Sequence, residues 1–225
     1  MSEPNPLILI SASYDALGIA PELSYAMEKA GSGVVGLLQL SKIFSQLLTD
    51  LSASQFQYDL MFALTPSGSL SYEGTAKFMD HLQATVKDRI QLALCLDSLA
   101  TNSDTMYVHK SSSNSAGEHL QNVFIEELKK ATEKKNMKVQ EISHNRPRSD
   151  AFVQHEHHLY ADKGLEAVTL STHNDAYTNR YQKYSVFDNK INFDDLSRSI
   201  LVISEALIKV IYQFHDPSIN FFLDN

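Results

Sequence analysis

Cysteine is almost missing from this sequence. The single Cys95 excludes an internal disulfide and a thiolate metal cluster. It sits in the apolar run from Ile90 to Leu96, so it reads as a small buried hydrophobe. Positive charge is also short: 19 Lys and Arg face 27 Asp and Glu, a net charge of −8. A nucleic-acid partner calls for a net basic face, so that class of function is excluded. No apolar stretch reaches the roughly 18–20 residues that cross a bilayer. The last long one, Ile200 to Phe214, is interrupted by Ser204, Glu205 and Lys209. The start, Met1-Ser2-Glu3-Pro4-Asn5-Pro6, has neither the basic nor the apolar part of a secretory leader. There is no Asn-x-Ser/Thr sequon, so composition leaves the compartment open.

What is present suits one large soluble domain. Of 225 residues, 43% are hydrophobic and 20% charged, enough to build a core. Leu7-Ile8-Leu9-Ile10 is short and branched, as in a strand buried on both faces. Val34, Leu37, Leu38, Phe44, Leu47 and Leu48 recur at helical spacing. Tyr58–Leu64 reads as a strand stopped by Pro66-Ser67-Gly68. Phe78, Met79, Leu82 and Val86 mark the face of one helix, and Ile90–Leu96 a third strand. Thr101–Gly117 is polar and reads as a long surface loop, with a short extended piece at Met106-Tyr107-Val108. Leu120 to Ala131 forms a helical face whose charged end is solvated. Lys138–Ile142 reads as a strand, Ala151–Ala161 as a helix, Leu165–Leu170 as a strand and Leu196–Phe214 as the closing helix. Strands alternating with helices predict an α/β fold, a mainly parallel central sheet with helices on both faces, in one domain over 1–225.

In such folds functional groups collect at the carboxyl ends of the strands. After the first strand comes Ser11-Ala12-Ser13-Tyr14-Asp15. Met27-Glu28-Lys29-Ala30-Gly31-Ser32-Gly33 opens the first helix. Thr65-Pro66-Ser67-Gly68-Ser69 follows the second strand, and Asp97 the third. Tyr184-Ser185-Val186-Phe187-Asp188 comes late. Gly31-Ser32-Gly33 lacks a Walker Lys-Ser/Thr and the Gly-x-Ser-x-Gly of a nucleophile elbow, and reads as a close-packing turn and cap. His155-Glu156-His157-His158 is the densest imidazole group. Neighbouring side chains on a helix diverge by about 100°, and His155 and His158 alone can share a face. No third ligand is evident, so the group reads as a partly exposed polar helix face.

The order of these positions resembles the M28 family of zinc aminopeptidases, whose relatives include the transferrin receptor ectodomain, nicastrin and nicalin. Several segments resemble the nicalin branch of that family. They are the stretch from Ser13 to Pro21, Gly31-Ser32-Gly33-Val34, Tyr72-Glu73-Gly74-Thr75, Leu94-Cys95-Leu96-Asp97, Glu156-His157 and the stretch from Ile203 to Tyr212. In the family, His-x-Asp, a bridging Asp, a Glu-Glu pair, a later Asp and a late His hold two zinc ions, with the first Glu as general base. Matched onto this chain, the first His falls on Ser13 while its Asp remains as Asp15. The bridging Asp falls on Glu28, the Glu pair on Gly68-Ser69 and the later Asp on Asp97. The last His falls near Ser185, or on His173 under another alignment.

The resemblance thus implies a vestigial site at Ser13, Asp15, Glu28, Ser69, Asp97 and Ser185, with no catalytic residue, no metal and no cofactor. The alternative is a remnant metal-dependent aminopeptidase using Glu28, Asp97 and His173, with His157 as a further imidazole that could restore metal binding. The nicalin branch implies an endoplasmic-reticulum membrane protein with this domain facing the lumen. It implies a NOMO-like lumenal protein and a small multispanning membrane protein as partners, at the translocon, in biogenesis of multi-pass membrane proteins. Control of receptor assembly and signalling is the related role. Membrane attachment would come only through segments absent from this chain, which the resemblance makes a fragment or a shortened relative.

Overall fold

The structure, a computed structural model, describes residues 4–16, 20–50, 56–101, 104–111, 119–145, 153–174 and 188–212. Six strands form one sheet: β1 (Leu7–Ser13), β2 (Asp59–Thr65), β3 (Ile90–Leu96), β4 (Thr105–Ser111), β5 (Lys138–His144) and β6 (Ala167–Ser171). Their spatial order is β2-β1-β3-β6-β4-β5. The first four in that order run parallel; β4 is antiparallel to β6 and carries β5 parallel to itself. The mainly parallel α/β sheet read from the sequence is therefore the fold.

Helices cover both faces because the strands are apolar on both. One face, with Ile8, Ile10, Leu92, Leu94, Val108, Val168 and Leu170, packs against α1 (Gly33–Asp50), α4 (His119–Glu133) and α6 (Phe193–Tyr212). The alternate residues Leu7, Leu9, Ala93, Cys95 and Ala167 face Met79 of α2 (Glu73–His81) and Tyr160 of α5 (His157–Asp162). Period-two alternation in a doubly covered strand produces this partition. Cys95 is buried in the second cluster, as its apolar surroundings suggested.

Three local expectations are corrected. Residues Phe78 to Val86 do not make one helix: Leu82 turns extended (ψ 133°) and separates α2 from α3 (Ala84–Lys87). The break still leaves Phe78, Leu82 and Val86 packed on the same cluster. The polar stretch after Thr101 is not a surface loop over its length. Thr105–Ser111 is an inner strand, its Met106 and Val108 fully buried on one face. Residues 112–118 lie outside the described part. Of the helix expected over Ala151–Ala161, the first two residues lie outside the described part, 154–156 are bends and a turn, and the helix itself is His157–Asp162.

Candidate functional site

The parallel strands deliver their carboxyl ends to one place. Ser13 closes β1, and its hydroxyl donates to Asp15 Oδ1 at 3.0 Å. The Gly68 amide donates to the same oxygen at 2.9 Å. Ser69 therefore lies beside this pair in sequence, and its Oγ is buried with no hydrogen-bond partner among the described residues. Asp97 follows β3 and is buried.

Opposite these strand ends runs a π-helical turn, Met27–Ser32, that leads into α1. Its wider turn buries two adjacent charged residues, Glu28 and Lys29. The Asp188 carboxylate accepts the backbone N–H groups of Glu28 (3.0 Å) and Lys29 (3.3 Å) and so holds the start of the turn. Gly33 ends it: a Cβ there would stand 2.6 Å from the Leu96 carbonyl oxygen, so the close-packing reading of Gly31-Ser32-Gly33 holds at Gly33. Ser32 Oγ accepts from Leu99 N at 2.9 Å and so stitches the turn to the β3 end.

Lys29 is the centre of the arrangement. Its ammonium is ion-paired with Asp97 Oδ1, both side chains 7% exposed, and donates to Tyr72 Oη at 3.1 Å. Beneath it, Glu156 Oε1 accepts from Thr65 Oγ1 (3.1 Å) and Thr75 Oγ1 (2.7 Å). Burial pushes the Glu156 carboxyl up, while the threonine hydroxyls oppose the shift. Ser13, Lys29, Tyr72, Asp97, Glu156 and Thr169 leave a cavity of about 10 Å³ between them. That is room for one water, not for a peptide end.

Glu28 turns the other way. It accepts from Ala100 N at 3.0 Å and from the Thr101 hydroxyl at 2.6 Å. Burial raises its carboxyl to about 7, against those hydrogen bonds and with help from the nearby Asp97 and Asp188 charges. His173 does come into this neighbourhood, with Nε2 3.1 Å from Thr101 Oγ1 and 3.9 Å from Glu28 Oε1. Ser185 lies outside the described residues.

The imidazole group proves different from its sequence reading. His155, Glu156, His157 and His158 are all buried, at 3% exposure or less, so the expected partly exposed helix face is corrected. The cause is the inner strand β4. In the antiparallel register His109 of β4 pairs with Thr169 of β6, on the face that α5 covers. His109 and half-buried His144 of β5 meet the α5 group there. His109 Nδ1 is 2.9 Å from His144 Nε2, and its Nε2 is 2.8 Å from the His173 carbonyl oxygen. His157 Nδ1 meets Thr169 Oγ1 at 2.9 Å, so His157 is held in this cluster. Burial pushes His109 down to about 4 and His155 and His157 well below their usual value, which keeps these rings neutral at pH 7. Among the described residues, the one set of three ligating atoms drawn together is His109, His144 and His155. Glu28, Asp97 and His173 do not form such a set.

Three site residues carry no signal in the sequence. Lys29 stands beside Glu28, but an α-helical turn would aim it elsewhere, and the π-turn buries both. His109 and His144 lie on neighbouring strands, and only strand pairing brings them to the α5 group.

The six-stranded, mainly parallel α/β sheet is an aminopeptidase-like fold. Solved structures of this fold include a zinc aminopeptidase from Bacillus subtilis (TM-score 0.66, 15% identity, covering 95% of this chain and 48% of that one). A glutaminyl cyclase from Macrostomum lignano is similar too (TM-score 0.67, 14% identity, 92% and 69% covered). At those identities the likeness is of fold. The family model for the nicastrin large lobe matches residues 6–211, and the chain belongs to that family. Its relatives include BOS complex subunit NCLN of Homo sapiens, 32% identical over 222 residues, and of Danio rerio, 30% identical over 241. These matches cover 93% and 96% of this chain but 38% and 41% of the relatives, so the chain spans about two fifths of their length. Nicalin of Caenorhabditis elegans is 25% identical, with 90% and 38% covered. Among the described residues, no helix is long and apolar enough to cross a membrane.

Proposed function

We propose that this chain is a noncatalytic, peptidase-like scaffold domain of a nicalin-like endoplasmic-reticulum membrane protein, facing the lumen. It acts in a translocon-associated complex that serves biogenesis of multi-pass membrane proteins and, through the same surface, receptor assembly and signalling. Its partners are a NOMO-like lumenal protein and a small multispanning membrane protein. The names of the mammalian and fish relatives, as BOS complex subunits, support the assembly role.

The observation that carries the reading is the Lys29–Asp97 pair. A zinc pair would need Asp97 as an open carboxylate donor, and an ammonium already holds it. Glu28 is engaged by Ala100 and Thr101, and a hydroxyl at Ser13 is no substitute for an imidazole. The residues present do not fit a dinuclear zinc site, and the cavity is too small for a substrate. Tyr14 after β1, Leu64 in β2, Leu70 after it, Leu23 and Tyr25 before the π-turn and Met27 at its start are instead exposed. Exposed apolar side chains in the segments that border a filled site suit protein docking better than catalysis.

Two measurements test this. Aminoacyl p-nitroanilides with added zinc should show no hydrolysis above buffer. A purified NOMO-like lumenal domain should bind the chain in solution. Hydrolysis that Asp97→Ala abolishes, or failure of that domain to bind, overturns the proposal.

A further inference from the structure

We propose that His109, His144 and His155 form a site for one divalent transition-metal ion of the zinc class, built from a donor set separate from the strand-end carboxylates. The three rings lie close together, their centroids 4.2 Å (His109–His155), 4.9 Å (His144–His155) and 5.1 Å (His109–His144) apart. One ligating atom from each falls within 4.8 Å of the others. A tetrahedral ion with metal–nitrogen bonds of about 2.0–2.1 Å sets its donors roughly 3.3 Å apart. Closing the group around an ion is thus a matter of side-chain adjustment by about 1.5 Å or less at each edge.

The hydrogen bonds already prepare such a site. A backbone carbonyl only accepts, so the His173 oxygen fixes the proton of His109 on Nε2. That leaves the lone pair of His109 Nδ1 directed at the group. A ligand imidazole whose other nitrogen donates to a backbone carbonyl is the usual outer arrangement of a metal-binding histidine. His155 gives the second argument. It is 2% exposed, and neither ring nitrogen has a hydrogen-bond partner among the described residues. An imidazole lone pair buried without a partner is costly, and coordination to an ion removes that cost. Half-buried His144 at the end of β5 gives an ion its way in.

The chemistry of the donors selects the ion. Three neutral imidazoles suit zinc, copper or nickel, whereas calcium and magnesium require oxygen. Three protein nitrogens leave one tetrahedral position for water. The proposal goes beyond the scaffold reading and does not depend on it.

The test uses the whole chain, stripped with a chelator and titrated with Zn²⁺ and, separately, Co²⁺. One zinc per chain is expected, together with the visible absorption of cobalt in a nitrogen-donor site and a rise in Tm on zinc addition. His144→Asn, at the most accessible ligand, should weaken zinc binding by about 100-fold or more while its metal-free melt stays cooperative. His81→Asn, on an exposed helix end, should change nothing. Absence of stoichiometric zinc on the unsubstituted chain overturns the proposal and requires no variant to fold. So does stoichiometric zinc that His144→Asn and His155→Asn both retain, since the ion would then sit elsewhere. Peptide hydrolysis would sink the noncatalytic reading and leave this one standing.

Discussion

At the scale of single residues, Lys29 decides the character of the strand-end site. Its ammonium and the Asp97 carboxylate are both withdrawn from water and depend on each other. Removing one partner of such a buried pair leaves the other charge stranded, which costs about 3–5 kcal/mol. Lys29→Met should therefore destabilise the protein by that order, read as a shift in the urea midpoint. Lys29→Met combined with Asp97→Asn should recover most of the loss, because no isolated charge remains. If the double variant is as weak as the single one, the pair is not what holds this region. The carboxylates of this site were legible in the sequence, because Asp15, Glu28 and Asp97 each follow a recognisable strand or turn. The cation was not. Adjacency to Glu28 gives no direction for a side chain, and direction came from an unusual helical turn. His109 and His144 escaped for a related reason: their meeting with His155 is made by strand pairing, not by spacing along the chain.

At the scale of elements, the contact between α1 and β3 sets the geometry of the π-turn. Gly33 brings the helix start against the Leu96 and Asp97 carbonyls, where backbone cannot yield. Gly36, one helical turn on, would place a Cβ 3.0 Å from Leu99 Cδ1, the end of a flexible side chain. Gly33→Ala should thus cost about 1–3 kcal/mol and Gly36→Ala distinctly less, by chemical denaturation of both. Equal costs would mean that the close approach at Gly33 does not constrain the helix. Element recognition from sequence followed burial. Ile90–Leu96 emerges with its predicted bounds because an unbroken apolar run has one interpretation. Thr105–Ser111 did not, because His109 and Lys110 give the strand a polar aspect that only its neighbours explain. The split at Leu82 likewise leaves no periodicity signal, since the apolar residues on both sides reach the same cluster.

At the scale of the whole molecule, the buried carboxyls make stability depend on pH. Glu28 titrates near 7 in the folded chain, against an ordinary value of 4.5. The folded state therefore keeps a proton that the unfolded state releases between pH 4.5 and 7. Stability from this group is full below pH 4.5, falls as pH rises through the window, and the loss is complete above 7. A shift of this size amounts to about 3 kcal/mol as an upper figure. Compared with wild type, Glu28→Gln should gain up to that much stability between pH 5 and 8, and a pH-independent difference would show that Glu28 is not the group responsible. The global fold itself was the most legible feature, since alternating strands and helices allow few arrangements. The Lys29–Asp97 pair also limits what this corner of the molecule can become. An imidazole introduced at position 13, across the same small cavity, would face a fixed ammonium, and loss of the ammonium alone would unsettle the fold. The ion pair acts as a ratchet: no single substitution turns the strand ends into an open donor set without a penalty in stability.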